Sequence, residues 1–234
     1  MSKSAVITGA TKGIGRAIAI RFAQEGFDLA LTSRTEADLS ALKKELEAQF
    51  NIKCVVFAAD LSNKADTEAF VAEVKNTFDN VNVLVNNTGI FVQGALMTEP
   101  EGALEKQIDT NLYSAYYTTR GLIETIRKGK GAHIFNICSI ASLQAYPGSG
   151  SYSISKFALL GFSKSLREEL KPEGIKVTSI MPGATFTSSW EGIDLPESRF
   201  ISAKDVADTV WASYNLSPSA LIEEIVMRPL EGDI

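Results

Sequence analysis

Residues 4–26, SAVITGATKGIGRAIAIRFAQEG, carry the clearest indication of the fold. The stretch begins as a short apolar run, passes through a glycine-rich turn and continues with helical periodicity. Ile14, Ile18 and Phe22 fall on one helical face, and Gly26 is placed to cap the helix at its C-terminal end. A strand that leads through such a turn into a helix is the repeating unit of α/β sheets.

The same alternation of short apolar runs and longer helical segments continues along the chain. It predicts strands at 4–8, 28–33, 52–60, 81–87, 132–139, 175–183 and 221–229, and helices at 13–26, 36–50, 63–78, about 99–127, 151–171 and 203–215. Such alternation predicts a parallel sheet with helices on both faces. Since no repeat or linker interrupts it, residues 1–234 are predicted to form one α/β domain, a Rossmann fold with a doubly wound parallel sheet of about seven strands.

Two local patterns refine this prediction. The first, third, fourth and sixth strands carry apolar residues almost continuously, which indicates strands buried on both sides. Thr35 precedes the second helix and Asp38 follows three positions later, which is a capping-box pattern.

Composition narrows the classes of function. The chain has 234 residues, 45% of them hydrophobic, a net charge of -5 and a pI near 5.1, so a nucleic-acid partner is not expected. No apolar run approaches the roughly 18 residues of a membrane span, and we expect no membrane partner. Cys54 and Cys138 lie far apart, which is typical of reduced thiols in a cytoplasmic protein. One histidine and no paired cysteines predict no metal site.

The turn after the first strand contains Gly9, Gly13 and Gly15. Glycine lets the backbone approach a pyrophosphate, and the following helix presents free N–H groups and the positive end of its dipole. A glycine-rich turn without a ligand is the alternative. The position after the first strand of a βαβ series, where dinucleotides bind in doubly wound sheets, favours binding.

The glycine spacing is G-x-x-x-G-x-G, and with Thr8 and Ile14 it resembles the TGxxxGIG motif of the short-chain dehydrogenase/reductase family. Further motifs carry the same resemblance. Ser139 ends the fifth predicted strand, thirteen residues before Tyr152, and Lys156 follows Tyr152 in a YxxxK pair. Asn111, in NLYSAYY, resembles the catalytic asparagine of the family. The resemblance therefore implies a catalytic tetrad of Asn111, Ser139, Tyr152 and Lys156.

The pairing of a phenol with an ammonium has a physical reason. A free phenol has a pKa of about 10, and a nearby ammonium favours the phenolate. Tyr152 and Lys156 share a helical face at i and i+4. The resemblance implies that Tyr152 exchanges a proton with a carbonyl oxygen, that Ser139 polarises this oxygen and that Asn111 holds a water linking the lysine to solvent. The small Ser153 and Ser155 are expected mainly to leave room.

The end of the second strand indicates which dinucleotide binds. An NAD-binding protein usually has an acidic residue there, but this chain has Ser33 and Arg34. A guanidinium matches a 2′-phosphate bidentately, and Lys12 in the glycine turn offers a second charge. Two solvated surface cations are the alternative. The sequence thus predicts NADP(H) as cofactor.

Other predicted cofactor contacts follow from the resemblance. Asp60 is expected to contact the adenine, with capping of the next helix as its alternative role, and Thr187 to bind the nicotinamide carboxamide. The full set of predicted cofactor residues is Gly9, Thr11, Lys12, Gly13, Ile14, Gly15, Ser33, Arg34, Asp60, Leu61, Asn87, Gly89, Tyr152, Lys156, Pro182, Gly183, Thr185 and Thr187.

The substrate side is predicted to lie under a short lid at about 188–205. The expected wall residues are mostly apolar or aromatic, which suggests a small-to-medium apolar carbonyl compound or its alcohol; they are Phe91, Val92, Ser139, Leu143, Tyr146, Phe186 and Trp190. Reduction of 3-oxoacyl groups on acyl-carrier protein is an open alternative. A non-catalytic NADP-binding regulatory protein is another, but it would be expected to lose Tyr152 or Lys156.

Two further expectations concern assembly and the single histidine. The resemblance implies a homodimer or homotetramer formed through the helices at about 99–127 and 151–171. His133 lies at the start of the fifth predicted strand, away from the predicted site, and is expected to be structural.

Overall fold

The structure is a computed structural model that describes residues 2–187 and 194–234. In these ranges seven parallel strands form one sheet in the order β3-β2-β1-β4-β5-β6-β7. The strands are β1 Ser4–Thr8, β2 Asp28–Ser33, β3 Cys54–Ala58, β4 Val83–Asn86, β5 His133–Ile137, β6 Lys176–Pro182 and β7 Glu224–Met227. The predicted doubly wound parallel sheet is confirmed.

Helices cover both faces of the sheet. They are α1 Gly13–Gln24, α2 Glu36–Gln49, α3 Lys64–Thr77, α4 Ala103–Ile108, α5 Ser114–Arg127, α6 Gly150–Leu170 and α7 Ala203–Tyr214. One core joins α1, α2 and α7 to the sheet, and a second joins α3, α5 and the end of α6. Within β4, Val83 and Val85 belong to the first core and Leu84 to the second, as expected for a strand buried on both faces.

The prediction that four strands are buried on both sides is wrong for β3, which lies at the edge of the sheet. β1, β4 and β6 are buried along nearly their whole length, as their apolar runs predicted. β3 is an edge strand, however, and only Cys54 is fully buried, while Val55–Ala58 are half-buried. A continuous apolar run therefore does not distinguish a central strand from an edge strand that a helix covers in part.

The predicted helix at 99–127 is divided. Helix α4 begins only at Ala103, after Gly102 with φ of 82°, and a π-helical turn at Asp109–Tyr113 separates α4 from α5. The predicted capping box is also absent, since Thr35 is the N-cap residue of α2 but its side chain makes no capping hydrogen bond. Gly26, by contrast, follows α1 with φ of 76°, as predicted for a C-terminal cap.

The strand order places the site. β1 pairs with β2 on one side and with β4 on the other. Strands β1 to β3 therefore extend the sheet in one direction and strands β4 to β7 in the other, and the strand order reverses between β1 and β4. Open α/β sheets bind ligands in the crevice at such a switch point, beyond the carboxyl ends of the strands. The loops after β1, β4 and β5 all lie at that edge.

Candidate active site

The glycine turn after β1 has the close packing that its sequence predicted. Gly9 and Gly13 have φ of 63° and 52°, which are left-handed values that favour glycine. A Cβ on Gly15 would lie 2.3 Å from the Gly9 carbonyl oxygen, and one on Gly13 would lie 2.7 Å from Thr187 Cγ2. Side chains at these positions would fill the turn, so the backbone is open to a ligand only because glycine occupies them.

Thr8 and Asn87 fasten the glycine turn to the end of β4. The Asn87 side-chain amide donates to the carbonyl oxygens of Thr8 and Gly9, both at 3.0 Å. The Thr8 hydroxyl oxygen accepts from the backbone N–H groups of Asn87 and Thr88 at 2.9 and 3.0 Å. The predicted cofactor residue Asn87 thus holds the shape of the turn itself.

The end of β2 has the polar groups expected for a 2′-phosphate. Ser33 Oγ is buried and has no hydrogen-bond partner among the residues that the structure describes. Arg34 and Lys12 are exposed, and within residues 2–187 and 194–234 neither forms an ion pair. A hydroxyl and a neighbouring guanidinium at the end of β2, with a further ammonium in the glycine turn, are groups that can donate to anionic phosphate oxygens, and so these residues fit the predicted cofactor.

Asp60 follows β3 and does not cap the next helix, so that alternative role is wrong. Its Oδ1 accepts from the N–H and the hydroxyl of Ser62 at 3.1 and 2.7 Å. Asn63 caps α3 instead, accepting from Ala65 N–H at 2.8 Å. Asp60 itself is exposed and Leu61 is buried beside it, which leaves the carboxylate at the edge of the crevice.

Tyr152 and Lys156 lie one turn apart on α6. Lys156 is only 5% exposed, and its Nζ donates to the Ile137 carbonyl oxygen at the end of β5 at 3.0 Å. This Nζ is 5.8 Å from the centroid of the Tyr152 ring. An ammonium held in a buried position needs compensating acceptors, and the one backbone carbonyl leaves Nζ two further protons for a ligand or water.

Asn111 lies in the π-helical turn and is fully buried. Its Oδ1 accepts from Ile90 N–H at 2.7 Å, and its Nδ2 donates to Ile90 O at 3.0 Å and to Ser155 Oγ at 2.8 Å. Both hydrogens of Asn111 Nδ2 are therefore bonded within the protein. A water bound to the Asn111 side chain would have to donate to its Oδ1 atom. π-helical turns inside α-helices are often found at functional sites.

Gly89 lets Asn111 and Lys156 meet at the end of β4. A Cβ at this position would lie 3.2 Å from Asn111 Oδ1 and 3.5 Å from Lys156 Nζ. The two polar groups thus reach the same point of the backbone, where a side chain would crowd both. The structure brings together these two members of the predicted tetrad.

Ser139 begins the short 3₁₀ turn Ile140–Ser142, which packs against α6. Its Oγ accepts from Ala141 N–H at 3.1 Å, while Ser142 Oγ accepts from Ser139 N–H at 3.3 Å. The hydroxyl is therefore oriented by the turn and keeps its proton for donation.

Burial raises the pKa of the neighbouring Cys138 thiol to about 11, which makes it an inert core group.

The loop after β6 lies against the glycine turn. Pro182 and Thr185 are buried, Gly183 N–H donates to Met227 O at 2.8 Å, and Thr185 Oγ1 donates to Gly183 O at 3.0 Å. The methyl group of Thr187 lies where it would contact a side chain at position 13. The loop after β6 and the glycine turn are therefore direct neighbours at this edge of the sheet.

Of the residues predicted to form the substrate wall, Phe91 lies against Tyr152. The Phe91 ring meets the Tyr152 ring edge-on at 4.9 Å between centroids, and Val92 is half-buried next to it. Phe91, Leu143 and Phe186 are 54%, 41% and 45% exposed, so they offer apolar surface rather than core. Trp190 and the part of the predicted lid at 188–193 lie outside the described residues.

Tyr146 is held by the C-terminal tail. Its hydroxyl donates to Asp233 Oδ2 at 2.8 Å and accepts from Arg228 Nη1 at 3.1 Å, and Arg228 pairs with Asp233. These partners hold the pKa of the Asp233 carboxyl below its usual range, chiefly through the Arg228 hydrogen bond. The predicted wall residue therefore contributes its ring, while its hydroxyl is used by the tail.

Sequence reasoning missed two residues that organise the site. Ser155 Oγ bonds Asn111 and donates to Tyr152 O at 2.7 Å, so its expected role of leaving room is wrong. Gln107, one helical turn before Asn111, is fully buried and accepts from Val92 N–H at 3.0 Å. The i, i+4 spacing of the two amides was the signal available in the sequence.

His133 lies at the amino end of β5 and packs on Phe135. Its Nε2 is 2.7 Å from Thr178 Oγ1, and burial lowers the pKa of His133 to about 3. This supports its predicted structural role.

Within residues 2–187 and 194–234, no group of three or more His, Cys, Asp or Glu side chains is placed to hold a metal ion. In the same ranges no helix is long and apolar enough to cross a bilayer.

Residues 3–197 match the short chain dehydrogenase family, and the chain belongs to that family. Sepiapterin reductase of Chlorobaculum tepidum is 32% identical over 237 residues, which cover 98% of this chain and 97% of the relative. An uncharacterized oxidoreductase of Staphylococcus saprophyticus is 29% identical over 228 residues, 97% of each chain. The resemblance inferred from the glycine turn and the YxxxK pair is therefore confirmed.

Solved structures share the whole fold. An alcohol dehydrogenase from the archaeon Thermococcus sibiricus, complexed with 5-hydroxy-NADP, superposes with a TM-score of 0.91 at 26% identity, covering 98% of this chain and 97% of that one. The L-sorbose reductase of Gluconobacter frateurii, complexed with NADPH and L-sorbose, gives a TM-score of 0.89 at 26% identity, covering 97% and 95%.

Proposed function

We propose that this chain is an NADP(H)-dependent oxidoreductase that interconverts a carbonyl compound and its alcohol, with Tyr152 as the acid and base. The observation that carries this proposal is the buried Lys156, fixed by Ile137 O one helical turn from Tyr152 and beside Asn111 at Gly89. A buried ammonium needs hydrogen-bond acceptors, and the one carbonyl leaves Lys156 Nζ able to donate to a bound ligand beside Tyr152.

Each member of the tetrad has a task in that reaction. The nicotinamide supplies or takes up the hydride when it is bound. Negative charge then develops on the carbonyl oxygen, and Tyr152 donates the proton that neutralises it. Ser139, whose hydroxyl keeps its proton for donation, stabilises the same oxygen. Lys156, one helical turn after Tyr152, has protons left to hold a bound ligand, and Asn111 in the π turn reaches the same point of the backbone at Gly89.

NADP(H), rather than NAD(H), is supported by the end of β2. In the part of the chain that the structure describes, Ser33 Oγ has no hydrogen-bond partner and Arg34 and Lys12 form no ion pair, so all three can meet a phosphate. The related alcohol dehydrogenase and L-sorbose reductase were solved with 5-hydroxy-NADP and NADPH. Asp60 and Leu61 would border the adenine, and the loop at Pro182, Gly183, Thr185 and Thr187 would border the nicotinamide.

For the substrate, the half-exposed Phe91 ring against Tyr152 supports a small-to-medium carbonyl compound with an apolar part. A lid at about 188–205 would close over them, and its last residues are already fixed by a bridge between Thr185 and Ile201. A 3-oxoacyl thioester on acyl-carrier protein is the alternative. The 32% identical relative is a sepiapterin reductase, which adds a carbonyl on a heterocycle to the candidates. A regulatory protein is disfavoured because Tyr152 and Lys156 are both present.

We also propose a homodimer or homotetramer in the cytoplasm. Ile154 and Phe157 on α6 are 41% and 47% exposed, and with Leu96 they line a groove of about 580 Å³. Tyr113 beside α5 is 43% exposed. Apolar surface of this kind suits an interface between copies. Light scattering would give the mass of the assembly directly.

The two cysteines are free, which suits a reducing compartment.

The experiment that tests the function is an NADPH-oxidation screen over ketones, aldehydes, quinones, 3-oxoacyl thioesters and sepiapterin. We expect turnover with at least one carbonyl class, a preference for NADPH over NADH, and loss of turnover in Tyr152→Phe. Absence of turnover with every class, despite measured NADPH binding, would favour the regulatory alternative.

A further inference from the structure

Gln107 is a polar side chain that a short helix buries. The buried residues of α4 are Ala103 and Gln107, and Gln107 has no exposed surface, whereas Leu104 on the same helix is 37% exposed. Burying an amide while leaving an apolar side chain in solvent costs free energy unless the amide has a hydrogen-bond partner. The placement of Gln107 therefore indicates a specific role for its side chain.

The partner of Gln107 belongs to the loop after β4. Gln107 Oε1 accepts from Val92 N–H at 3.0 Å. Asn111, one helical turn later, holds Ile90 in the same loop, because its Oδ1 accepts from Ile90 N–H at 2.7 Å and its Nδ2 donates to Ile90 O at 3.0 Å. Two buried amides on neighbouring turns thus bind the backbone at both ends of the segment 90–92.

Phe91 is the residue between these two fixed positions. Its ring meets the Tyr152 ring edge-on, with 4.9 Å between the centroids and an angle of 73° between the planes. The Phe91 side chain is nevertheless 54% exposed. The segment 90–92 therefore holds one part of the ring against Tyr152 and leaves the other part accessible to a ligand.

The same loop is joined to the helix that carries Tyr152. Gly94 N–H donates to Gly148 O at 2.9 Å, and Gly150 N–H, at the start of α6, donates to Gly94 O at 3.1 Å. Residues 90–94 are thus bonded to α4 and the π turn at one end and to α6 at the other. Backbone bonds and buried amides therefore set the position of Phe91 relative to Tyr152.

We propose that Gln107 is a positioning residue that sets the substrate selectivity of the site. Through Val92 N–H it keeps the Phe91 ring beside Tyr152, and the exposed part of that ring receives a flat, apolar group next to the carbonyl of the substrate. Aromatic rings favour edge-on or offset contacts of this kind. The substrate class is therefore a carbonyl compound that carries an aromatic ring. This assignment rests on the proposed carbonyl chemistry at Tyr152.

Two substitutions of similar size separate the hydrogen bond of Gln107 from its volume. Gln107→Met fills nearly the same space but leaves Val92 N–H without its acceptor. Gln107→Glu keeps an oxygen for Val92 N–H. Gln107 Nε2 has no hydrogen-bond partner among the described residues, so exchanging it for oxygen breaks no bond there. Gln107→Glu should therefore behave like the wild type where Gln107→Met does not.

The test compares two diketones that differ in one ring, 1-phenyl-1,2-propanedione and 2,3-butanedione, at saturating NADPH. Phe91→Ala should raise KM for the phenyl compound about 5- to 10-fold, because the contact between the rings is lost. Gln107→Met should raise the same KM about 3- to 5-fold, because Phe91 is no longer held in place. In both variants, kcat and the KM for 2,3-butanedione should stay within about twofold of the wild type.

The double variant tests whether Gln107 acts through Phe91. In the Phe91→Ala background, Gln107→Met should raise KM for the phenyl compound by less than about twofold, because no ring remains to be positioned. Lys106→Met is the control, since it introduces the same side chain at the next, exposed position of α4, and it should match the wild type. An equal rise in both backgrounds, an equal rise for both diketones, or a rise in Gln107→Glu as large as in Gln107→Met would overturn the inference.

A measurement that needs no turnover separates the role of Gln107 from the proposed function. The Val92 amide should exchange its hydrogen about 5- to 10-fold faster in Gln107→Met than in the wild type, and the NMR signals of the Tyr152 ring should shift in the direction seen in Phe91→Ala. Unchanged exchange and unchanged ring signals would overturn the positioning role even in an active enzyme.

The two levels can then fail independently. If the wild type reduced no carbonyl compound, the proposed function would fail, and hydrogen exchange and the ring signals would still decide whether Gln107 positions Phe91. Reduction of other carbonyl compounds but not of 1-phenyl-1,2-propanedione would contradict the substrate class while leaving the proposed function in place.

Discussion

The side-chain amide of Asn111 donates a 2.8 Å hydrogen bond to Ser155 Oγ, which joins the π-helical turn to the helix that carries Tyr152 and Lys156. Ser155 passes the connection on, since its hydroxyl donates to Tyr152 O. The pair therefore joins the two segments that carry Asn111, Tyr152 and Lys156 of the proposed catalytic tetrad.

Replacing Ser155 with Ala tests that connection. The change leaves a buried Asn111 N–H without its partner, which should lower the free energy of unfolding by about 1–3 kcal/mol. Because α6 would also shift against the π turn, we expect kcat to fall several-fold with little change in KM for NADPH. Urea denaturation and steady-state kinetics measure both effects. Ser165→Ala, an exposed position on the same helix, should change neither.

Substitution of Arg34 tests the choice of cofactor. Arg34→Ala removes a charged donor to the 2′-phosphate, so KM for NADPH should rise about 10- to 100-fold while KM for NADH stays nearly constant. Lys44→Ala removes an equal charge from an exposed position of α2 and serves as the control. An equal rise in both variants would mean that only general electrostatic attraction is involved.

Gly15 tests the shape of the pyrophosphate turn. In Gly15→Ala the new Cβ would lie 2.3 Å from the Gly9 carbonyl oxygen, and backbone must move to relieve the contact. We expect a loss of about 1–3 kcal/mol in stability and a marked loss of NADPH binding, measured by calorimetry. Gly161→Ala is the control on α6, where a Cβ meets nothing within 4 Å, and it should be neutral or stabilising by up to about 1 kcal/mol.

His133 should make stability depend on pH. Burial lowers its pKa from 6.5 to about 3, so between these values the unfolded chain binds a proton that the folded chain does not. Stability is thus retained above pH 6.5 and lost as pH falls, by up to about 1.4 kcal/mol per pH unit. His133→Gln lacks this group and should lose about 2 kcal/mol less than the wild type between pH 6.5 and 4.5 in urea denaturation. Parallel pH curves for the two proteins would contradict the assignment.

The fold was predictable because its signals are local. The alternation of apolar runs with helical periods, and the glycine turn at Gly9, Gly13 and Gly15, specify the strand–turn–helix unit without long-range information. The division of the predicted 99–127 helix was not predictable. The π turn exists where Asn111 is bonded to Ile90 and Ser155, and neither contact is visible in the helical periodicity of this segment.

Prediction of the site from the sequence has the same limit, because local motifs do not contain long-range contacts. Tyr152, Lys156 and Ser139 could be proposed from motif spacing, whereas Gln107 and the pair Arg228 and Asp233 act through contacts with distant parts of the chain. The edge position of β3 also depends on strand order, which the apolar run at 52–60 does not contain. Long-range hydrogen bonds at a sheet edge are set by topology, and a linear pattern records only the residues available to make them.

Proton transfer by Tyr152 can be measured by removing its hydroxyl. The most direct measurement is kcat/KM of Tyr152→Phe for a carbonyl that the wild-type protein reduces, at saturating NADPH, with NADPH binding measured in the same preparation. We predict a loss of about 10²- to 10⁴-fold with NADPH binding retained, and no loss in Tyr214→Phe. A Tyr152→Phe variant that binds NADPH and reduces the carbonyl as fast as the wild type would contradict the account.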